Sequence, residues 1–591
     1  MHRFISLVTH AAAGVAVFTS AACQLALADA PTVGSTNVAV ADPIVPPPYT
    51  TPCTVTLYAD QQFADFNSKA FAYAPPANCP GPWQKVVLSA DYSVTMGRQF
   101  DRTAEIWLGG AVIYFGTTQE PSATVAPSWH IERDLTDYSA LFTHSHDGHA
   151  TLGNFVGTSG GVTYSGIIHG TAKLLFYPQA STVPDHPHRP DVLLPLSGSP
   201  DGSTADLSSS DQKLELTFAS LPRNIERAFL DVYAQSQASD EFWYTCVPDD
   251  LSESLQSCGG TAFREVEISI DGAPAGVAPI FPWIYTGGID PLLWRPVPGV
   301  QTLAFEPYRV DLTPFAGVLD DGASHTVALR VFGAQDHFST AANLLLYLDS
   351  RSAHITGSVT ANTLAANPVP SITKNLNDHG GSLAVAANRQ FTIAGTVNTS
   401  HGTVTTQLQQ ALGFSNAQTF DLSDVLYSQH IAQTTTIDST TTVSAAATVA
   451  VTHEQRSYPL TLNIDYRVLP NGSANQIAAV DQRFSQTVSV GNQGFAARTA
   501  MRDDHVIASD TLLIDASGHI NGAFNPLATQ IYTYADPFGT CYSRTVQAAS
   551  GQVQKVIDGQ GCPGDVNALP WFDAFYNYGS LVTGATLQLL P

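Results

Sequence analysis

Charge is scarce in this chain: only 13% of its 591 residues are Asp, Glu, Lys or Arg. Cations are rarer still, with 25 Lys and Arg against 50 Asp and Glu, for a formal net charge of −25. Without a basic stripe to neutralise phosphates, nucleic acid and anionic membrane surfaces are poor partners. Past the N-terminal leader no stretch approaches the ~20 uninterrupted apolar residues that span a bilayer, so no membrane span is expected. The chain also lacks H-E-x-x-H, a P-loop and a G-x-G-x-x-G opening a helix, which removes support from zincin protease, nucleotide and dinucleotide readings. Helical periodicity is almost missing, and its best window, Val404–Leu412, is too short to organise a domain. Disorder is disfavoured as well, because 44% of the residues are hydrophobic.

What is present reads as β structure. Short alternating or β-branched runs recur, as in 86–94, 105–108, 264–270 and 325–331, with Gly, Pro, Asp and Asn between them. At roughly 150 residues per domain the length suggests three or four units. The expected fold is all-β: two packed jelly-roll or β-sandwich domains, 31–205 and 206–352, then a β-rich C-terminal region, 353–591. The first boundary falls in the polar stretch 197–204.

The N-terminus reads as a secretory signal peptide over 1–30, with a basic start at His2 and Arg3, an apolar run, and an A-x-A site at Ala28-Asp29-Ala30. A lipoprotein signal ending at Cys23 is the weaker rival, since Ser20 stands where Leu is usual. Cleavage after Ala30 removes one of seven cysteines, and the rest cluster as Cys53 with Cys79, Cys246 with Cys258, and Cys541 with Cys562. Six cysteines allow 15 connectivities, but the clustering favours these neighbours as disulfides. None has C-x-x-C spacing, which argues against zinc. A secreted or periplasmic location follows.

Two patterns resemble chemistry without its context. Gly157-Thr158-Ser159-Gly160-Gly161 matches G-x-S-x-G, but a strand-like run follows where a nucleophile elbow needs a helix. His144, His146 and His149 form a metal-like tract around Asp147-Gly148, but without further ligands at a known spacing the polar turn is the favoured reading. Asp185-His186-Pro187-His188 reads as a loop. No metal or cofactor is expected.

Unusual residues are densest in two segments. One holds F-D-R-x(4)-W-L-G-G from Phe100 to Gly110, T-T-x-E-P from Thr117 to Pro121, and the Asp134-x-Thr136-x-Tyr138 turn. The other holds Asp240-Glu241-Phe242-Trp243-Tyr244, the run 287–296 (GGIDPLLWRP), and Tyr308 with 311–315 (DLTPF). Together these motifs resemble the peptide-N-glycosidase A family, with a more distant likeness to peptide-N-glycosidase F in the aromatic-Asp-Arg triplet and the Asp-x-Thr-Asp-Tyr turn. The resemblance implies two packed jelly rolls. It also implies a secreted amidase that cleaves the bond between the innermost GlcNAc and asparagine of N-glycopeptides and glycoproteins. Asp101 matches the triplet's catalytic aspartate.

The residue chemistry agrees. Hydrolysis of a glycosyl-asparagine amide needs an activated water or nucleophile, charge for the oxyanion and a proton for the leaving glycosylamine. Asp101 is the first catalytic candidate, with Arg102 to hold substrate or carboxylate; a structural turn-stabilising pair is the alternative. Glu241 and Asp240 are the second, and as neighbours on a strand only one would face the site, Glu241 being favoured. Trp107, Trp243, Trp294 and Arg295 are candidates for substrate binding, by stacking on sugar rings or through a guanidinium; core packing is the alternative for each Trp. A non-catalytic carbohydrate-binding or adhesin β-sandwich is the competing reading of the whole. Oligomeric state is not legible, and a monomer is the working expectation.

Overall fold

The computed structural model describes residues 31–179, 189–446, 448–492 and 498–570; the leader, Cys23, His186 and His188 lie outside them. All three expected disulfides form: Cys53–Cys79, Cys246–Cys258 and Cys541–Cys562.

Two antiparallel four-stranded sheets make the first unit. One runs Cys53–Phe63, Ile168–Pro178, Trp83–Val94, Ser128–Asp134; the other runs Lys69–Tyr73, His146–Thr151, Thr103–Leu108, Ala111–Thr117. Leaving out a small hairpin at 157–164, these are the first, eighth, third and sixth strands in chain order against the second, seventh, fourth and fifth. That is the strand order of a jelly roll. The second unit repeats it: Val192–Leu196, His337–Leu348, Ile225–Gln237 and Tyr308–Asp311 against Leu214–Phe218, His325–Phe332, Glu265–Ile270 and Ala273–Pro279, with Ala205–Leu207 an added edge piece. Because Val192–Leu196 pairs with His337–Leu348, the second roll begins ahead of the 205/206 boundary read from the sequence.

The inward positions follow the pleat. In Ile168–Pro178, residues 168, 170, 172, 174 and 176 are buried and their neighbours are less so, the alternation of a strand with one face on a core. Phe63, Trp83, Leu88, Ile106, Ile113 and Phe176 fill the first roll.

Downstream lies one antiparallel sheet of eleven strands among the described residues, from Thr356–Asn362 to Gln552–Asp558. The helical window expected at Val404–Leu412 is part of its longest strand, Gly402–Ser423. Val404, Leu408 and Leu412 repeat every fourth residue, which suits a helix; Thr406 and Gln410 are buried between them, so the operative period is two. The buried face packs on the second roll: Phe414 meets Trp243 and Phe263, and Tyr458 and Phe484 meet Phe281. Amides on that face bind loop backbone, as buried polar groups must. Gln482 accepts from Val300 N–H at 2.9 Å and donates to the Pro282 carbonyl at 2.7 Å. Asn416 donates to the Tyr244 carbonyl at 2.9 Å.

The segment following residue 31 ties the units together. Gly34 N–H donates to the Val553 carbonyl (2.7 Å), Ala39 N–H to the Pro296 carbonyl (3.0 Å) and Val45 N–H to Glu132 (2.8 Å). Among the described residues no helix is long and apolar enough to cross a membrane.

Candidate active site

Thr103–Leu108 and Ala111–Thr117 are hairpin partners, with Thr103 opposite Thr117. Residues just before the one and just after the other are therefore brought side by side. The pairing continues beyond the strands: Thr118 N–H donates to the Arg102 carbonyl at 3.0 Å, and Arg102 N–H to Thr118 Oγ1 at 2.9 Å. One step further out, Asp101 N–H donates to the Glu120 carboxylate at 3.3 Å. Glu120 is thus a member of the site that the sequence reading left without a role, although T-T-x-E-P contains it.

The second roll closes over this edge. Its loop between Ala273–Pro279 and Tyr308–Asp311 is fastened by Thr286, whose hydroxyl donates to the Thr118 carbonyl at 2.7 Å, and by Gln119, which donates to the Trp294 carbonyl at 3.1 Å. This places the Gly287 N–H on the Asp101 carboxylate. It also places Arg295 beside Glu120 at 3.4 Å. A Cβ on Gly287 would lie 2.7 Å from Asp101 Oδ1 and 2.7 Å from Glu120 Oε1, so the two carboxylates and this backbone converge on one point. Glu241 follows the strand Ile225–Gln237 and lies within electrostatic reach of Asp101. Arg102 donates to Gln99 at 2.8 Å and rests over the Phe100 ring. The Nε atoms of Arg102 and Arg295 are buried without a hydrogen-bond partner.

Burial dominates the electrostatics, since a partly desolvated carboxyl resists ionisation. Glu241 is pushed up to about 7 by burial first and then by the charge of Asp101. Glu120 rises to about 7 for the same two reasons, with Arg295 opposing. Asp101 is raised by burial, against which the Gly287 N–H and Arg102 favour its ionised form. Carboxyls that separate into an ionised base and protonated acids can carry out acid–base hydrolysis.

Asp101, Arg102, Glu241 and Arg295 are thus brought together. Asp240 takes a different part: it is 0% exposed, pairs with Arg264 at 2.9 Å, and accepts the backbone N–H groups of Gln335, Asp336 and His337. Its oxygens are committed to structure, and 3₁₀ turns at Ala238–Asp240 and Trp243–Thr245 replace the strand expected there. The three tryptophans expected to bind substrate have no open ring face. Trp107 is 0%, Trp243 1% and Trp294 0% exposed. Trp107 packs on His149 and donates to Glu105, Trp243 packs on Phe414, and Trp294 supports the turn by donating to the Gly288 carbonyl at 2.9 Å.

The G-x-S-x-G match is a hairpin, Gly157–Ser159 pairing Val162–Tyr164. Its turn residues Gly160 and Gly161 have φ of 57° and 79°, the conformation of a tight hairpin turn. His144, His146 and His149 do not gather. Among the described residues the three side chains that bring possible ligand atoms within 4.8 Å of one another are instead Glu226, Asp349 and His401.

A cluster of desolvated carboxyls with two arginines, at the seam of paired jelly rolls, has the groups that acid–base hydrolysis requires. The model of the family "Peptide N-acetyl-beta-D-glucosaminyl asparaginase amidase A" matches residues 43–365, and that of the "PNGase_A C-terminal domain" matches 382–460. The chain belongs to that family and is an amidase of the peptide-N-glycosidase kind. It is 28% identical over 523 residues to a Prunus dulcis protein, peptide-N4-(N-acetyl-beta-glucosaminyl)asparagine amidase A, covering 85% of this chain and 89% of that one. Among solved structures it is similar to PNGase F, a glycosylasparaginase from Flavobacterium meningosepticum, at 12% identity and a TM-score of 0.35, covering 51% of this chain and 97% of the other. It is also similar to PNGF-II, at 12% identity and a TM-score of 0.34, covering 50% and 65%.

Proposed function

We propose that this chain is a secreted glycoamidase that hydrolyses the amide between the innermost GlcNAc and asparagine of N-glycopeptides and glycoproteins, leaving aspartate and releasing the glycan as a glycosylamine. The convergence of Asp101, Glu120, Glu241, Arg102 and Arg295 carries the reading, and the name of the Prunus dulcis relative, an asparagine amidase, agrees with it. Three disulfides and the A-x-A leader support secretion.

In this mechanism ionised Asp101 takes a proton from water as the water oxygen bonds to the amide carbon. The positive charge of Arg102 and Arg295 stabilises the oxyanion that forms. The C–N bond then breaks while protonated Glu241 gives its proton to the departing nitrogen. Asp101 passes its proton to Glu241 and the pair is restored. Glu120, held by Arg295, fixes the Asp101 backbone. An Asp101→Asn variant tests this: turnover should fall ~10²–10⁴-fold while glycopeptide affinity stays within a few-fold. Turnover at the wild-type rate would overturn the assignment.

A further inference from the structure

The loop that carries Gly287 and Arg295 leans on the eleven-stranded sheet through two acids. Asp290, in that loop, is 0% exposed; Asp510, on the strand Arg498–Ile514, is 4% exposed. One Asp290 oxygen accepts the Leu292 N–H at 2.8 Å. Its other oxygen and both oxygens of Asp510 are buried and receive no donor, yet the two side chains are within hydrogen-bonding reach of each other. Two ionised carboxylates have nothing to donate, so the contact holds only if one proton lies between them. The neighbouring backbone needs such support: Ile289 has φ of 65°, which a β-branched residue keeps only where its surroundings enforce it.

We infer that Asp510 is a positioning residue for the site, sharing a proton with Asp290 and so clamping the Gly287–Arg295 loop onto the eleven-stranded sheet and against Asp101 and Glu120. The charges acting on the pair are Arg295, from the loop itself, and the two carboxyls. Gln476 adds a contact that does not titrate, donating to the Ile289 carbonyl at 2.9 Å. The eleven-stranded sheet thereby acts on the reaction through the loop.

Burial first, and then the charge of Asp290, pushes Asp510 up to about 7. A carboxyl raised in the docked state binds its proton more tightly there than in the undocked state. Docking is therefore fully supported below the ordinary aspartate range and weakens as pH rises through about 7.

The test is hydrogen exchange of the amides at 286–296, as protection factors at pH 5.5 and 8.5, on the full chain without substrate. Wild-type protection should fall at least about tenfold at the higher pH. Asp510→Asn, whose amide donates at every pH, should keep it, and Asp510→Ala should lack it at both. Asp290→Asn supplies the mirror-image donor and decides the matter if the Asp510 variant does not fold. Equal wild-type protection at the two pH values, or a parallel fall in wild type and both Asn variants, would overturn the clamp. The inference rests on the site assigned above, but its readout involves no turnover, so its failure is distinct from failure of the glycoamidase reading.

Discussion

Gly287 occupies a position where a side chain would displace two carboxylates. The atoms nearest its missing Cβ are the free ends of Asp101 and Glu120, which can swing aside more readily than backbone. Gly287→Ala should therefore lower kcat/KM by about 10²-fold, the scale of a misplaced catalytic group, with little change in Tm. An equal loss of stability and activity would contradict this. The acid has its own signature. In the proposed mechanism Glu241 must be protonated to release the glycosylamine, and it is held at about 7. The reaction should thus run on the acid side and kcat should fall as pH rises through about 7. Glu241→Gln should lose about 10²-fold at pH 6, a loss that kinetics on a defined glycopeptide would measure.

At the scale of elements, the 3₁₀ turn at Ala238–Asp240 aims Glu241. Asp240 anchors it by binding Arg264 and three consecutive backbone N–H groups on the approach to His337–Leu348. Removing one partner of a buried ion pair leaves the other uncompensated, so Asp240→Ala should cost about 3–5 kcal/mol in denaturant unfolding. Strand content was legible from alternation and turn residues, because each strand declares itself locally. Val404–Leu412 misleads since apolar residues at every fourth position satisfy both periods and only the burial of Thr406 and Gln410 separates them. Trp107, Trp243 and Trp294 mark the right region but not their own orientation. Trp107 packs on His149, Trp243 on Phe414, and Trp294 holds the Gly288 turn, and a sequence does not show which side of a wall a ring faces.

For the whole molecule, the site exists because two jelly rolls of the same strand order meet edge to loop, with the eleven-stranded sheet behind the second roll. Asp101 and Glu241 could be found from the sequence because each lies in a dense motif. Glu120 was harder, since it reaches Asp101 only through the hairpin of Thr103–Leu108 and Ala111–Thr117. The Asp290–Asp510 contact was out of reach, because nothing local to either residue names its partner across the chain. Amide hydrolysis at the glycan–asparagine bond can be read by incubating the protein with an N-glycopeptide in heavy-oxygen water and weighing the peptide product. A glycoamidase should yield a sugar-free peptide bearing one labelled oxygen in a new aspartate. A peptide that keeps a GlcNAc, or an unlabelled product, would contradict it.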